Sequence, residues 1–594
     1  MPGSLFVQLP LNPGSALEPT GNVPLAGATL AAAAGLPAGS VLPQDDADLL
    51  GDRALVDRIA SREPERVLFT LYCWNVERSL WMAGRLRERI PRLVTVGGGP
   101  EVFLDNTPLM NDGRMSVLVS GEGEELISRV LKGGRHIPEG GYLQSGGGSF
   151  PPGRYPNPYL TGHLDPGSGD SVYVETVRGC PSTCIYCSYR RSSPRPRAMH
   201  ASEAVGLLKK LKAANASEIV FVDPTFSDRR DLAPLLDSMR GMGLECFCEL
   251  RGESIDPKTA RRFARAGFRS AEIGLQSLSD RVTRGVGRPG NARKAIEGAC
   301  MLRDEGVVPV IDLILGLPGE DPDDAVDGAV ELRKAGLHRE VQVFYLAVLP
   351  GTELRRRAGD LRIEWMEKPP YYATSVGDAN ADRMKQAREK IADILGYDLD
   401  TEPRPLLFDG WPGAAEIDLD DDAEPPPPLS FRHSALRLSS RNPWARREKV
   451  LRRILRHRAD DPFCVLDVIL LPGSEFPMDL IDMIEATDEP LDYSGRTAAF
   501  HGLPGNLRLT VLLHDWSRFS GDWLSELART CRTVASVHEP DDLPPELARM
   551  GVGVLLPGDR DLAGLARKVD SPELVFFRSW EMERLWTRDV LGLD

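Results

Sequence analysis

The sequence predicts an α/β protein built from three successive regions with parallel sheets, and three observations carry that prediction. Short apolar runs of strand length alternate with longer stretches of helical spacing from residue 4 to residue 346, and again from 465 to 568. Two stretches interrupt the alternation: a Gly/Pro-rich one over 141–168 and an acidic one over 401–430 that ends in four prolines. With 594 residues, 42% of them hydrophobic, the chain can bury several cores. The domain boundaries that follow are 1–140, 169–400 and 431–594, with 141–168 and 401–430 as connections.

In the first region, residues 4–9, 66–72, 93–96 and 116–119 read as strands and 76–90 as a helix. Ligands of such open α/β sheets bind outside the carboxyl ends of the strands. Two of those ends carry glycine clusters, Gly97-Gly98-Gly99-Pro100-Glu101 and Ser120-Gly121-Glu122-Gly123. Glycine there lets backbone approach a large ligand, or simply tightens the loops. Neither cluster forms a Gly-x-Gly-x-x-Gly turn, and no Gly-Lys-Ser/Thr phosphate loop is present.

The second region opens with a strand over 171–178, and Gly179 turns it into Cys180-Pro-Ser-Thr-Cys184-Ile-Tyr-Cys187. Three thiolates at this spacing can ligate three irons of a [4Fe–4S] cluster and leave the fourth open to an amine and a carboxylate, such as those of S-adenosylmethionine (SAM). Zinc would need a fourth ligand, and the next histidine, His200, stands alone in an Arg- and Pro-rich loop. Nine cysteines without a secretory signal argue for a reducing compartment rather than disulfides. A helix over 202–214 and strands over 218–222, 244–250, 270–275, 308–315 and 340–346 continue the pattern, which implies a parallel sheet with right-handed crossovers. The cysteine loop then falls at the carboxyl end of its first strand.

The third region has strands over 465–471, 507–513 and 552–556 with helices over 523–529 and 562–568, a small α/β domain of no legible role. Cys464, Cys531, Cys246 and Cys248 lack partners at ligand spacing and read as small buried residues.

Taken together, the cysteine motif with Tyr186, Phe221-Val-Asp-Pro-Thr-Phe226, Glu272-Ile-Gly-Leu-Gln-Ser277 and Asp312-Leu-Ile-Leu-Gly-Leu-Pro-Gly-Glu320 resemble the radical SAM superfamily over about 169–355. The resemblance implies a partial (β/α)6 TIM-type barrel, reduction of the SAM sulfonium and a 5′-deoxyadenosyl radical that abstracts hydrogen from substrate. It also implies that Cys180, Cys184 and Cys187 hold the cluster, Tyr186 lies against adenine, and Gln276 and Asp312 reach the ribose. Glu249 and Arg288 would hold the ammonium and carboxylate of the amino-acid end. Arg288 as a solvated charge and Gln276 as a strand-end cap are the plain alternatives; Gly316, Pro318 and Gly319 read as a turn.

The two glycine loops, with Gly21-Asn-Val-Pro-Leu-Ala-Gly27, resemble the Rossmann-like cobalamin-binding domain that precedes many such barrels. The histidine-ligating Asp-x-His-x-x-Gly motif of other corrinoid proteins is missing, and the first histidine is His136. The loop Cys73-Trp74-Asn75 is then expected beneath the corrin, with Trp74 a non-ligating neighbour of cobalt or an ordinary core aromatic.

The resemblance as a whole is to cobalamin-dependent (class B) radical SAM enzymes. It implies a methyltransferase that moves a methyl from SAM through methylcobalamin to a carbon of a small-molecule or peptide natural product. An external electron donor of flavodoxin or ferredoxin type is the implied partner. A cobalamin-dependent cyclase, rearrangement or ring-contraction enzyme stays open, as does a corrinoid and Fe–S sensor. Tyr345, Tyr371 and Tyr372 are candidates for lining the pocket or for packing. A net charge of −15 argues against nucleic acid as partner, although 190–197 is locally basic. No apolar run reaches the roughly 20 residues that span a bilayer, so a cytoplasmic protein is expected.

Overall fold

The computed structural model describes residues 3–592 except 12–15, 17–19, 134–140, 147, 149, 169–170, 190–194, 289, 401–402, 422–429, 558–560 and 570. His136, most of the basic stretch from Arg190 and the prolines at 425–428 lie outside the described residues. The chain forms two compact units, one of Met1–Gln8, Val23–Leu42 and Glu63–Asp400, the other of Leu9–Asn22, Pro43–Arg62 and Thr401–Asp594.

The first unit begins with a five-stranded parallel sheet, in the order β1 (Ser4–Val7), β2 (Arg66–Thr70), β3 (Val94–Gly98), β4 (Val117–Ser120) and β5 (Tyr142–Gln144). Consecutive residues such as Val67, Leu68 and Phe69 are all buried, as in a parallel sheet covered on both faces. Helices Leu25–Ala33 and Gly123–Lys132 bring Ala28, Ala31, Leu126 and Ile127 onto Phe6, Leu68, Val96 and Val119. An isolated parallel bridge, Phe6 to Val41, places chain outside β1. The path therefore runs from β1 to that edge and returns on the other side as β2, the reversal of direction that opens a ligand crevice at the carboxyl end of a doubly wound sheet. The strand β5 lies in the stretch read from sequence as a connection, because three residues carry too little periodicity to be read. Gly141 admits it: its φ is +67° and a Cβ there would lie 2.2 Å from the Ser116 carbonyl oxygen.

The six strands β6 (Val172–Val174), β9 (Glu218–Phe221), β10 (Glu245–Leu250), β11 (Phe268–Gln276), β12 (Val308–Leu315) and β13 (Val341–Tyr345) pair in parallel and in chain order, forming an open barrel sheet. The strand expected over 171–178 is broken. After β6 the chain leaves the sheet, and β7 (Val177–Arg178) pairs antiparallel with β8 (Arg197–Ala198). The cause is the buried Asp223, whose carboxylate accepts from Thr176 N at 2.6 Å, Val177 N at 2.8 Å and the Thr176 hydroxyl, taking those donors out of the ladder. Burial holds the Asp223 carboxyl up at about 6 despite these donors. The outer helices start on side-chain caps, Asn291 for Ala292–Asp304 and Asp321 for Pro322–Lys334. Three short antiparallel strands follow, β14 (Ile363–Trp365), β15 (Ala373–Val376) and β16 (Ala379–Asn380).

The second unit holds seven parallel strands in chain order: β17 (Ala414–Asp418), β18 (His433–Ser440), β19 (Val465–Pro472), β20 (Leu507–Leu513), β21 (Arg532–Ser536), β22 (Gly553–Leu556) and β23 (Val575–Phe577). It is larger than the sequence suggested, and β17 sits inside the acidic connection, its polar residues being those of an edge strand. Helices Arg447–Asp460, Asp479–Glu485, Gly521–Thr530 and Trp580–Asp589 share one core with one face of the sheet, while Leu406, Leu407 and Phe408 cover the other. Residues 43–62, read from sequence with the N-terminal region, belong to this unit. The helix Asp52–Ala60 lacks a cap of its own, and Ser430 and Asp461 supply it, accepting from Ala54 N at 3.1 Å and Arg53 N at 2.9 Å.

Candidate active site

Two sites lie in the first unit. The cysteine motif forms a loop clamped on both sides: Ile185 N donates to Val286 O, Leu354 N to Ile185 O, and the Thr183 hydroxyl to Gly287 O at 2.9 Å. Gly287 has φ +73° and a Cβ would come within 2.3 Å of the Thr183 carbonyl oxygen, so only glycine lets these segments meet. Tyr186 and Arg288 lie beside Cys184, and Tyr186 packs its ring on the cluster of Leu317, Leu346 and Val348.

Inside the barrel, Glu249 and Glu272 face each other on β10 and β11, and Asp312 on β12 is in register with Gly274. The Arg288 guanidinium donates to the Gly274 carbonyl oxygen. Four predicted SAM residues, Glu249, Gln276, Arg288 and Asp312, are thus brought to one face of three adjacent strands. Burial, reinforced by Glu272, lifts the Asp312 carboxyl to about 9; burial, with Glu272 and Asp223, lifts Glu249 to about 7. Glu320, whose oxygen takes the Ser277 hydroxyl, is lifted by burial to about 8. Buried oxygens of Gln276, Asp312 and Glu320 have no protein partner among the described residues. Gln276 also holds φ +69°, an unusual conformation for a side-chain-bearing residue. Unsatisfied polar atoms and backbone strain concentrate where ligands bind, so the donor set fits a ligand carrying an ammonium, a carboxylate and hydroxyls. Glu272 belongs to the Glu272–Ser277 motif, but nothing in the sequence assigns it a role; its register opposite Glu249 places it in the site.

The second site is a cavity of about 1130 Å³ at the carboxyl ends of β2, β3 and β4. That exceeds the roughly 300–1,000 Å³ of drug-sized sites and fits a group as large as a corrinoid. Trp74, Gly98, Gly99, Pro100, Glu101, Gly121, Glu122 and Gly123 line it; Asn75, Gly97 and Ser120 do not. Asn75 is buried and its side-chain oxygen accepts from Tyr72 N at 2.9 Å. Gly97 points into the core, where a Cβ would come within 2.6 Å of Leu71 Cδ1. Ser120 is buried at the end of β4. Trp74 stacks on Tyr72, rings 4.3 Å apart and 5° from parallel. No histidine is among the described lining residues. Phe150, Pro151, Pro152, Tyr155 and Pro158 form a wall that the Gly/Pro-rich composition concealed. His163, 3.0 Å from the Leu36 carbonyl oxygen, and Tyr159, whose hydroxyl oxygen accepts from Tyr173 N at 3.0 Å, fix that wall. Tyr345, Tyr371 and Tyr372 do not line the cavity; Tyr371 is buried and donates to Glu101 at 2.6 Å.

Residues 174–330 match the family model described as the Radical SAM superfamily. This chain carries a radical SAM domain. Similarity extends beyond that domain to the 2-(S-pantetheinyl)-carbapenam-3-carboxylate methyltransferase of Streptantibioticus cattleyicolor, 25% identical over 337 residues, 49% of this chain and 48% of that protein. The cobalamin-dependent radical SAM methyltransferase TokK of Streptomyces tokunonensis is 25% identical over 351 residues, with the same shares. The chain therefore spans about half the length of these curated relatives. Among solved structures, the cobalamin-dependent SAM radical enzyme OxsB with aqua-cobalamin and SAM bound matches with a TM-score of 0.50 at 13% identity, over 66% of each chain. That likeness is one of fold alone, an α/β arrangement of parallel sheets. Among the described residues no helix is long and apolar enough to cross a membrane.

Proposed function

We propose that the protein is a cobalamin-dependent radical SAM methyltransferase acting on carbon of a small-molecule or peptide natural product, with an external one-electron donor. The single observation that carries this reading is the pairing, in one compact unit, of the cysteine loop and its carboxylate-lined barrel with a corrinoid-sized cavity. The names of the two similar methyltransferases support it. When bound, the cluster and SAM supply hydrogen abstraction from an unactivated carbon and cobalamin supplies the methyl group. Cys180, Cys184 and Cys187 would hold the cluster, and the buried carboxyls of Glu249 and Asp312 with Arg288 would orient SAM. Gly98, Gly99, Gly121 and Gly123 would let backbone approach the corrin, and Trp74 would present a non-ligating face to it. The wall from Phe150 to Pro158 would exclude water from the reacting groups. Among the described residues no two cysteines are joined by a disulfide, which supports a reducing compartment such as the cytoplasm.

Cluster-reconstituted protein given SAM and a strong reductant without oxygen is expected to form S-adenosylhomocysteine together with 5′-deoxyadenosine only when cobalamin is added, as read by mass spectrometry. Deoxyadenosine alone, with cobalamin verified as bound, would point to a radical enzyme that transfers no methyl.

The raised Glu249 carboxyl adds a pH signature. An ammonium is held by the ionised form, which predominates above about 7. SAM affinity is expected to fall with decreasing pH below that point by up to about tenfold per pH unit, with proton release on binding. Titration calorimetry at pH 6.5 in buffers of different ionisation enthalpy checks this, and heats independent of buffer would contradict it.

A further inference from the structure

We propose that Glu122, Glu124, Arg178 and Arg197 form an ionic clamp that fixes the cavity wall against the cysteine loop, making them positioning residues for the two cofactor sites of the function proposed above. The strands β7 and β8 form a two-stranded antiparallel ribbon. Its strands enter and leave the segment that carries the three cysteines, and Arg178 and Arg197 are register partners on it. Two guanidiniums directly opposite each other destabilise a ribbon unless something neutralises both.

The neutralising groups come from the first sheet. Glu122 accepts from Arg178 at 3.1 Å and from both terminal nitrogens of Arg197; Glu124 accepts from Arg178 at 2.8 Å. Glu175, on the barrel side, completes the set with two bonds from Arg178 at 2.8 and 2.6 Å. The side chains of Glu122 and Glu124 are each only 10% exposed, and those of Arg197 and Arg178 14% and 23%, so solvent screens these pairs far less than it screens ordinary surface ion pairs. Two further contacts fix the geometry. The Ser145 hydroxyl oxygen accepts from Glu122 N at 2.9 Å, and Arg197 also donates to the Phe150 carbonyl oxygen at 2.7 Å. Three walls of the cavity thus converge on two arginines, one of which is separated from Cys180 by Gly179 alone. Glu122, expected from sequence to meet the corrinoid, has its carboxylate committed to this clamp.

The test uses the full chain with cluster reconstituted and cobalamin loaded, carrying Glu122→Gln with Glu124→Gln, and separately Arg178→Lys, which keeps the charge and loses the fork. Pulsed electron paramagnetic resonance between cob(II)alamin and the reduced cluster is expected to give a broader distance distribution in both variants, with each cofactor's own spectrum and stoichiometry unchanged. Hydrogen exchange of residues 172–180 is expected to be about tenfold faster in the same variants. Unchanged distance widths in the variants overturn the positioning role. A wild-type protein that takes up no cobalamin would remove the proposed function instead, and the exchange measurement would still decide whether the clamp holds the ribbon: unchanged exchange overturns it. Should the double variant fail to fold, Arg178→Lys alone decides.

Discussion

Replacing Cys180, Cys184 and Cys187 together by alanine is expected to leave a folded protein that binds no [4Fe–4S] cluster and cleaves no SAM. The fold is expected to survive because the loop is held by its backbone: Ile185 N to Val286 O, Leu354 N to Ile185 O, and Gly287 against Thr183 involve none of the three thiols. Cys180 is buried while Cys184 and Cys187 are partly exposed, so the substitutions remove little packing. Iron and sulfide analysis, the visible absorbance of the reconstituted protein and assay of 5′-deoxyadenosine check the result. A cluster of unchanged stoichiometry in the triple variant would show that other residues ligate the iron.

The second large effect is expected on truncation after Asp400. Residues 43–62 would then lose the partners that the second unit gives them: Ser430 O for Gly51 N, Asp461 and the Ser430 hydroxyl for the first turn of Asp52–Ala60, Phe463 N for Asp52, and Arg432 for the Asp48 carbonyl oxygen. Each of these hydrogen bonds contributes about 0.5–1.5 kcal/mol net even after its groups meet water, so losing several together takes a large share of the roughly 5–15 kcal/mol that holds a typical domain. The shortened chain is expected to aggregate, or to be cut by trypsin at Arg53, Arg58 and Arg62 within minutes under conditions where the full chain is protected. A soluble fragment resistant at those arginines would contradict the assignment of this helix to the second unit.

What the sequence reveals and what it hides differ for physical reasons. The cysteine loop and the strand cores are legible because ligand spacing and burial are local properties of consecutive residues. The glycine cluster at 97–99 is only partly legible. Successive strand residues point to opposite faces, so Gly98 reaches the cavity while Gly97 makes room for Leu71 and Leu118. Asn75 and Ser120 likewise sit beside cavity-lining neighbours but serve the backbone and the core. The break in the strand at Thr176 is invisible locally, since its cause, Asp223, lies 47 residues away. The cap of Asp52–Ala60 is farther still, coming from Ser430 and Asp461. Gly/Pro-rich composition normally marks a passive connection, and here it conceals a wall stiffened by Pro151, Pro152, Pro156 and Pro158.

The hydrogen bond from Phe463 to Asp52 spans 411 residues. Chains grow at about 5–20 residues per second, so about 20–80 s separate the emergence of its two ends from the ribosome. During that interval the early helix has neither its cap nor its sheet, while the barrel between them can already collapse. The waiting segment is therefore the part of the nascent chain most in need of a holding chaperone, and slowing translation in the last third of the message would lengthen its exposure.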